Sequence, residues 1–204
     1  MTPIWKNTDR EDPADYRPIS ITNHILKVIE RVIRKVMAGY LNDNNLISDD
    51  QHGARSGRST LTQLLSQHDS IVESLSQDNN LEVIYLDFSK AFDLVDVSIM
   101  LDKTRKMGIN EKILKWLKCF LTNREQKVRV NNTLSTPRNM TSGVPQGSVL
   151  GPLLFLMYIQ DLGSDINLTI MNILKFVDNS KIIAETNNEY DVMTLQNNLE
   201  KIYS

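Results

Sequence analysis

The sequence is poor in the residues that build covalent or metal-bound scaffolds. It contains one cysteine, Cys119, and three histidines, His24, His52 and His68, in 204 residues. A single cysteine excludes an internal disulfide and fits a reducing compartment, so we expect an intracellular protein, with nucleus or cytoplasm left open. The histidines are too scattered along the chain to match the ligand spacing of a zinc site.

Long apolar runs and a hydrophobic leader are also missing. The longest apolar run, Val149–Ile159, is interrupted by Gly151 and Pro152 and is too short to span a bilayer. Polar and charged residues prevail from Lys6 to Arg17, where a signal peptide would have an apolar stretch. We therefore expect no membrane partner, and the 41% hydrophobic and 24% charged residues are typical of a globular domain.

Neither sign of charge dominates the chain. The net charge of −2 counts against a dedicated nucleic-acid binder, which is usually basic. Between Lys118 and Arg138, however, five basic residues stand against one acidic residue, Glu125. Such a strip could follow a phosphate backbone. The alternative is a solvated face with surplus lysine and arginine, and local charge alone favours that alternative.

Hydrophobic periodicity predicts mainly helices in the first part of the chain. Residues 1–19 are predicted to form an extended arm, Thr22–Leu41 a helix and Gln51–Thr60 a loop. Ser59 can cap the next helix. The apolar residues that recur in the first helix are Ile25, Ile29, Val32, Ile33, Val36, Met37 and Tyr40. The stripe that we expect the second helix to bury is Leu61, Leu64, Leu65, His68, Ile71, Val72 and Leu75.

Strands and helices alternate irregularly in the rest of the chain. Helices are predicted for Asn110–Leu121, Leu153–Leu162 and Asp191–Tyr203. Strands are predicted for Leu81–Asp87, a hairpin within Gln126–Ser135 turning at Asn131–Asn132, and the pair Leu168–Val177 and Ser180–Ala184 joined at Asp178–Asn179. Without a regular βαβ alternation, this order predicts an α+β fold.

Three segments carry residues suited to chemistry. They are the strand-end segment Leu86–Asp93, the glycine–proline loop Ser142–Pro152 and the hairpin-tip segment Phe176–Asn179. If the strands are neighbours in one sheet, Asp87 and Asp178 converge, and a divalent cation would relieve the repulsion between their carboxylates. Oxygen ligands suit Mg²⁺, and two such ions could stabilise the attacking and leaving oxygens of a phosphoryl-type displacement.

Each segment also has a structural explanation when it is taken alone. Asp87 could cap the segment after its strand, and Asp178–Asn179 could be an ordinary hairpin turn, because both residue types tolerate positive φ. The glycine–proline loop could be a plain connection between elements.

Taken together and in this order, the three segments resemble motifs A, B and C of reverse transcriptases. The flanking segments Asp15–Ser20 and Gln51–Thr60 resemble the fingers motifs of jockey-like and related non-LTR (LINE-type) retrotransposons. The resemblance covers nearly the whole chain. It implies the fingers and palm of a right-hand polymerase, with helical fingers and a small antiparallel palm sheet. Residues 1–80 would be mainly fingers, and residues 81–204 mainly palm with some fingers elements.

The resemblance also implies an activity with its cofactors and partners. The family it resembles consists of RNA-directed DNA polymerases. These enzymes transfer deoxynucleotides from deoxynucleoside triphosphates to the 3′-hydroxyl of a DNA primer on an RNA template, and pyrophosphate leaves. Asp87 matches the metal-binding aspartate of motif A, and Asp178 the first aspartate of motif C. Two Mg²⁺ ions are implied, with Mn²⁺ as a possible substitute.

Five further residues match nucleotide-contacting positions of the family. Phe92 matches the bulky residue that favours deoxynucleotides by colliding with a ribose 2′-hydroxyl, and core packing is its alternative. Gln146 matches the glutamine that contacts the incoming nucleotide, and Gly147 would let the backbone approach that nucleotide closely. Lys6 and Arg17 lie where fingers residues would hold the triphosphate.

The chain departs from the family pattern at three positions. Motif C usually ends in Asp-Asp, but the second position here is Asn179, an amide that can offer a carbonyl oxygen and no negative charge. We therefore expect weaker metal binding and slower chemistry. His52 and Ala54 stand where the family usually has aromatic residues.

The sequence leaves three hypotheses open. We expect the chain to stop before the thumb, which would weaken its hold on a primer–template. It is then either a working RNA-directed DNA polymerase domain or a catalytically inactive remnant that folds and at most binds nucleic acid. The third hypothesis is an unrelated α+β interaction module. It requires that the likeness to motifs A and B is a coincidence, and a structure with Asp87 and Asp178 far apart would favour it.

Overall fold

The computed structural model describes residues 1–6, 9–164, 166 and 168–203. Its helices are α1 (His24–Asp43), α2 (Thr60–Ser76), α3 (Val97–Lys106), α4 (Glu111–Leu121), α5 (Gly151–Tyr158) and α6 (Glu189–Tyr203). Its strands are β1 (Thr2–Trp5), β2 (Tyr16–Ile19), β3 (Leu81–Asp87), β4 (Arg124–Gln126), β5 (Arg129–Val130), β6 (Thr133–Leu134), β7 (Arg138–Met140), β8 (Met171–Phe176) and β9 (Asn179–Glu185). Helices combined with small antiparallel sheets confirm the α+β class. Among the described residues, no helix is both long and apolar enough to cross a membrane.

The chain divides into two compact units, each built from two stretches. The first unit comprises Met1–Leu46 and Lys90–Tyr158, and the second comprises Ile47–Ser89 and Ile159–Ser204. The strand-end segment therefore contributes Asp87 to the second unit and Phe92 to the first.

Side-chain caps begin three helices of the first unit. The side chain of Asn23 accepts the N–H of Ile25 before α1, and Asn110 caps α4 in the same way. Asp96 accepts two N–H groups at the start of α3, a helix that the periodicity did not predict. Helix α3 packs on α4 and α5. The core of this unit includes Met100, Leu114, Leu117, Leu121, Leu150, Leu154 and Met157.

Short antiparallel ladders complete the first unit. Strands β5 and β6 form the predicted hairpin, and Asn131 and Asn132 both have positive φ at its tip, as a type I′ turn requires. The pair β4–β7 was not predicted. The prediction of an extended arm over residues 1–19 was wrong in one respect, because β1 and β2 pair with each other as a two-stranded ladder.

A three-stranded antiparallel sheet with the order β3–β9–β8 organises the second unit. One of its faces buries an apolar cluster with α6: Leu86, Met171, Ile173, Ile182, Ala184 and Leu195. Five of these six belong to the strands, and Leu195 comes from α6, so the helix closes this face of the sheet. Burying each of the leucine, isoleucine and methionine side chains stabilises a fold by about 1.5–3 kcal/mol relative to leaving it exposed.

Helix α2 forms, but the face that it turns towards the sheet is not the apolar face that was predicted. Leu61, Leu65 and Leu75, members of the stripe that was expected to be buried, are exposed. The polar side faces the sheet instead: Ser74 donates to Glu185 at 2.6 Å, and Lys181 donates to Gln67 at 2.8 Å. Hydrogen bonds to polar strand residues therefore set the rotation of this helix.

Helices α1 and α5 form close to their predicted positions, and the structure adds detail to both. In α1, Ile25, Val32 and Val36 are exposed, while Met37 and Leu41 are buried. The burial of Glu30 on that same side, where it accepts N–H groups from Val149 and Leu150, fixes this orientation. Helix α5 covers Gly151–Tyr158 rather than Leu153–Leu162, with Pro152 in its first turn as predicted.

Candidate active site

The sheet of the second unit brings the predicted carboxylates together. Asp87 is the last residue of β3 and lies directly opposite Asn179, the first residue of β9. Asn179 in turn lies opposite Phe176 on β8. Directly opposite residues of an antiparallel pair have Cα atoms about 4.5–5.5 Å apart and side chains on the same face. The observation that would have favoured an unrelated module, two aspartates far apart, is therefore not made.

The hairpin tip is one residue earlier than the sequence suggested. The turn between β8 and β9 consists of Val177 and Asp178, whereas Asn179 is already paired in the sheet. Val177 has a φ of 57°, a left-handed conformation that β-branched residues strongly avoid. Asp178 is thus presented on a strained two-residue turn beside the Asp87–Asn179 pair.

Both aspartates are accessible to solvent, and their carboxylates have no interaction partner among the described residues. Asp87 is exposed and Asp178 is half-buried. Within the part of the chain that the structure describes, neither carboxylate has a hydrogen bond or an ion pair. Nothing there neutralises the two negative charges, so a cation would find unshared ligands.

The oxygen ligands offered by these side chains suit a magnesium site in which the protein supplies only a few of the ligands. The side chains offered here are two carboxylates and the amide of Asn179. Among the described residues, no group of three or more His, Cys, Asp or Glu side chains is arranged so that it could hold a metal ion. Mg²⁺ is commonly held by only one or two carboxylates, with water and substrate phosphates as its remaining ligands. Asp87 and Asp178 fit that pattern, and Asn179 removes one negative charge from it.

The glycine–proline loop is fastened to the strand-end segment inside the first unit. The side-chain amide of Gln146 donates to Asp93 Oδ1 at 3.0 Å, and Ser142 Oγ donates to the carbonyl of Asp93 at 2.9 Å. Backbone bonds from Gly143 to Val95 and from Val144 to Phe92, each 2.8 Å, continue the contact. Gln146 therefore has its NH₂ group oriented by Asp93, the last residue of the strand-end segment, for which the motif pattern predicted no role.

Gly147 is explained by a close approach to the chain's own backbone. Its φ is 93°, and a Cβ there would lie 3.0 Å from the carbonyl oxygen of Ser20. The neighbouring Gln146 carbonyl accepts the Ser20 N–H at 2.7 Å. A side chain at position 147 would disturb this contact with the end of β2, whether or not a nucleotide binds nearby.

Phe92 packs on a core aromatic ring. Its ring stacks on that of Phe155 with 4.7 Å between centroids, and Phe155 is buried. This contact favours the packing alternative for Phe92, although the ring is only half-buried.

The two basic residues of the fingers segment lie at the β1–β2 ladder. Arg17 is exposed and lies opposite Ile4. Lys6 is also exposed and donates its backbone N–H to the Asp15 carbonyl at 2.8 Å.

A cleft of about 320 Å³ opens beside Gln146 in the first unit. Its wall includes Asp93, Arg124, Ser142 and Gly143. Arg124 is half-buried and donates to the carbonyls of Leu121 at 2.8 Å and Ser142 at 3.0 Å. Burial lowers the pKa of Arg124. Arg124 is thus a structural member of the basic strip, whereas Lys118, Lys127, Arg129 and Arg138 are exposed.

Known proteins resemble this chain along most of its length. The family described as "Reverse transcriptase (RNA-dependent DNA polymerase)" matches residues 4–204. The probable RNA-directed DNA polymerase from transposon BS of Drosophila melanogaster is 35% identical over 152 residues, 74% of this chain and 17% of that protein. The corresponding protein from transposon X-element of the same species is 35% identical over 151 residues, 74% of this chain and 16% of that protein. The chain therefore spans less than a fifth of the length of these relatives.

Solved telomerase structures share the fold. The telomerase from Candida albicans, in complex with a TWJ fragment of telomeric RNA, superposes with a TM-score of 0.62 at 10% identity, covering 86% of this chain and 32% of that one. The apo telomerase from Candida tropicalis, truncated from its C-terminal domain, gives 0.60 at 13% identity, covering 85% and 36%. The sequence match and the shared fold agree with the motif segments described above: this chain belongs to the reverse transcriptase (RNA-dependent DNA polymerase) family, as a domain of the non-LTR retrotransposon type.

Proposed function

We propose that this chain is the fingers-and-palm part of an RNA-directed DNA polymerase, and that Asp87 and Asp178 are its catalytic metal ligands. The observation that carries the proposal is the register of the sheet. It sets Asp87 opposite Asn179 and next to the turn residue Asp178, with both carboxylates unshared among the described residues. Two carboxylates at the same end of the sheet have no stabilising role in the fold, since neighbouring like charges repel.

Divalent ions would supply the electrostatic part of the chemistry. Mg²⁺, or Mn²⁺ in its place, would stabilise the charge on the attacking primer oxygen and on the leaving phosphate oxygen. The residues of this chain would hold the ions: Asp87 from the end of β3, Asp178 from the turn, and Asn179 as a neutral oxygen donor at a degenerate position.

Nucleotide contacts are proposed for the residues that match the family's motifs. The side-chain oxygen of Gln146 and its second N–H are the groups available to a deoxynucleoside triphosphate, because Asp93 accepts only one N–H of the amide. Phe92 would exclude the 2′-hydroxyl of a ribonucleotide, and Gly147 would let the loop backbone approach the nucleotide closely. Arg17 and Lys6 would bind the phosphates of the triphosphate. An RNA template and a DNA primer are the proposed macromolecular partners, and the division into residues 1–80, mainly fingers, and 81–204, mainly palm, belongs to this proposal.

A second candidate function is a catalytically inactive fold that at most binds nucleic acid. The observation that favours it is Asn179, which leaves two carboxylates where the family pattern has three. An amide ligand adds no charge to hold a divalent cation.

Primer extension on an RNA template with Mg²⁺ tests both candidates. The native chain is compared with Asp87→Ala, Asn179→Asp and Asp69→Ala, the last removing an exposed carboxylate on α2 as a matched control. The polymerase proposal expects extension that is lost in Asp87→Ala, retained in Asp69→Ala and raised in Asn179→Asp. Extension that survives Asp87→Ala would contradict it, and extension seen only with Asn179→Asp would establish the inactive candidate for the native chain.

A further inference from the structure

The turn that carries Asp178 is strained, so something must hold it. Val177 has a φ of 57°, and left-handed backbone in a β-branched residue persists only where the surroundings determine it. The strain lies one bond away from the proposed metal ligand. A small relaxation of Val177 would therefore move the Asp178 carboxylate.

One buried side chain binds this turn directly. Gln51 is 2% exposed, and its Oε1 accepts the N–H of Val177 at 3.0 Å and the N–H of Gly53 at 2.8 Å. Gln51 opens the Gln51–Thr60 segment, for which the sequence predicted a loop and no mechanism. The two hydrogen bonds use both lone-pair directions of one amide oxygen.

The backbone around Gln51 is fixed to the strand before the turn. The N–H of His52 donates to the carbonyl of Lys175, and the N–H of Lys175 donates to the carbonyl of Asp50, both at 2.8 Å. These bonds make a parallel bridge between Gln51 and Lys175. The Gln51 side chain therefore projects from an anchored backbone and has a fixed relation to the turn.

The backbone of Gly53 also lies very close to the backbone of the turn. A Cβ on Gly53 would lie 2.6 Å from the backbone nitrogen of Val177 and 3.0 Å from the carbonyl carbon of Phe176. These atoms belong to the turn backbone, so a side chain there could be accommodated only by moving the turn. Any residue other than glycine would push on the segment that presents Asp178.

We propose that Gln51 and Gly53 are positioning residues, which hold the strained Val177 turn and so set the place of the Asp178 carboxylate. This inference rests on the proposed function in one respect, the role of Asp178 as a metal ligand. Neither residue touches a reacting group in this arrangement. Their effect on chemistry would pass through the turn alone.

Amide hydrogen exchange of Val177, measured relative to that of Ile182 in the same sheet, tests the hold on the turn. Gln51→Leu removes the acceptor at similar volume and should speed Val177 exchange about tenfold relative to Ile182. Gln51→Glu keeps an acceptor oxygen and should restore slow exchange. Gln63→Leu is the matched control, because Gln63 is another buried glutamine of the second unit and lies on α2. If the amide exchange rates of Val177 and Ile182 rise by the same factor in Gln51→Leu, the inference is overturned.

A second readout separates this inference from the proposed function. Line broadening by Mn²⁺ at the Asp87 and Asp178 amides reports where the ion binds. In Gln51→Leu and Gly53→Ala the Mn²⁺ dissociation constant should rise about tenfold above that of Gln63→Leu, and an unchanged constant would overturn the positioning role. Absence of broadening in the native chain would count against the proposed function alone, and the exchange ratio would still decide whether Gln51 holds the turn.

Discussion

At the scale of single residues, Asn179 has two opposite effects that can be separated by adding metal. It lies opposite Asp87, and like charges at directly opposite strand positions are destabilising. The amide therefore stabilises the metal-free sheet while it lowers the attraction for a divalent cation. A stable fold and a strong metal site make conflicting demands on this one position.

Asn179→Asp should lower the free energy of unfolding by about 0.5 kcal/mol in EDTA, because it adds a carboxylate opposite Asp87. Mg²⁺ should recover that loss, since an ion bound only to the folded state stabilises it. Urea unfolding with and without Mg²⁺ measures both effects. Asn172→Asp, an exposed change on β8 opposite Ile183, is the control for aspartate in a strand. A loss of equal size in the two variants would contradict the explanation.

His52 should make stability fall in mild acid. It is buried, with Nδ1 3.0 Å from Thr62 Oγ1, and burial, helped by the charge of Arg58, lowers its pKa from the usual 6.5. The unfolded chain then takes up a proton at a higher pH than the folded chain does. The free energy of unfolding is therefore unaffected above the unfolded pKa and decreases as the pH falls below it.

Urea unfolding of the native chain and of His52→Gln at pH 7.5 and 5.5 checks this expectation. The two pH values lie about one unit above and below the usual histidine pKa. The native chain should lose more stability between the two than the variant does. Equal losses would assign the acid sensitivity to other groups.

At the scale of elements, Glu30 is a buried cap that joins α1 to α5. Its side chain is fully buried, and Oε2 accepts the N–H of Val149 at 2.6 Å and of Leu150 at 3.1 Å, just before α5 begins. A carboxylate is well placed there, because the N-terminal end of a helix carries unpaired N–H groups and a partial positive charge.

Glu30→Ala should lower the free energy of unfolding by about 3 kcal/mol, since it leaves two buried N–H groups without an acceptor. Glu30→Gln should lower it less, because an amide oxygen can still accept. Arg31→Ala, an exposed change on the same helix, is the control. Thermal or urea unfolding measures all three, and a loss in Glu30→Ala no larger than in Arg31→Ala would refute the cap.

Helix α2 should be more sensitive on its polar side than on its apolar side. Ser74→Ala removes the 2.6 Å hydrogen bond to Glu185 and should lower the free energy of unfolding by about 1 kcal/mol. Leu75→Gln replaces an exposed leucine at the next position and should change it by less than about 0.5 kcal/mol. Equilibrium unfolding of the two variants gives the ranking, and the reverse order would mean that the leucine stripe is packed in solution.

These elements show which features a sequence can predict. Local signals were enough to predict a strand ending at Asp87 and a hairpin tip at Asp178, because both depend on neighbouring residues. That these strands are neighbours in one sheet was only a condition, because their pairing joins distant parts of the chain. The rotation of α2 was not predictable from periodicity, since polar partners such as Glu185 on a distant strand decided it. The role of Gln51 could not be predicted from the sequence either, because its side chain accepts a hydrogen bond from a residue 126 positions away.

At the scale of the whole molecule, the family is shown and the chemistry is proposed, and the two rest on different observations. The family rests on a match over residues 4–204 and on a fold shared with telomerases. The proposed chemistry rests on one row of the sheet, where Asp87, Asn179 and Phe176 lie side by side. The sequence predicted the aspartates at this end of the sheet, and the structure adds the strained turn that presents one of them.

Mn²⁺ binding, followed by the loss of the free-ion signal in electron paramagnetic resonance, tests the central claim most directly, because it does not depend on primer, template or turnover. The account predicts that Asp87→Ala abolishes the binding seen with the native chain and that Asn179→Asp tightens it about tenfold. Equal affinity in the native chain, Asp87→Ala and Asn179→Asp would contradict the assignment of Asp87 and Asp178 as metal ligands.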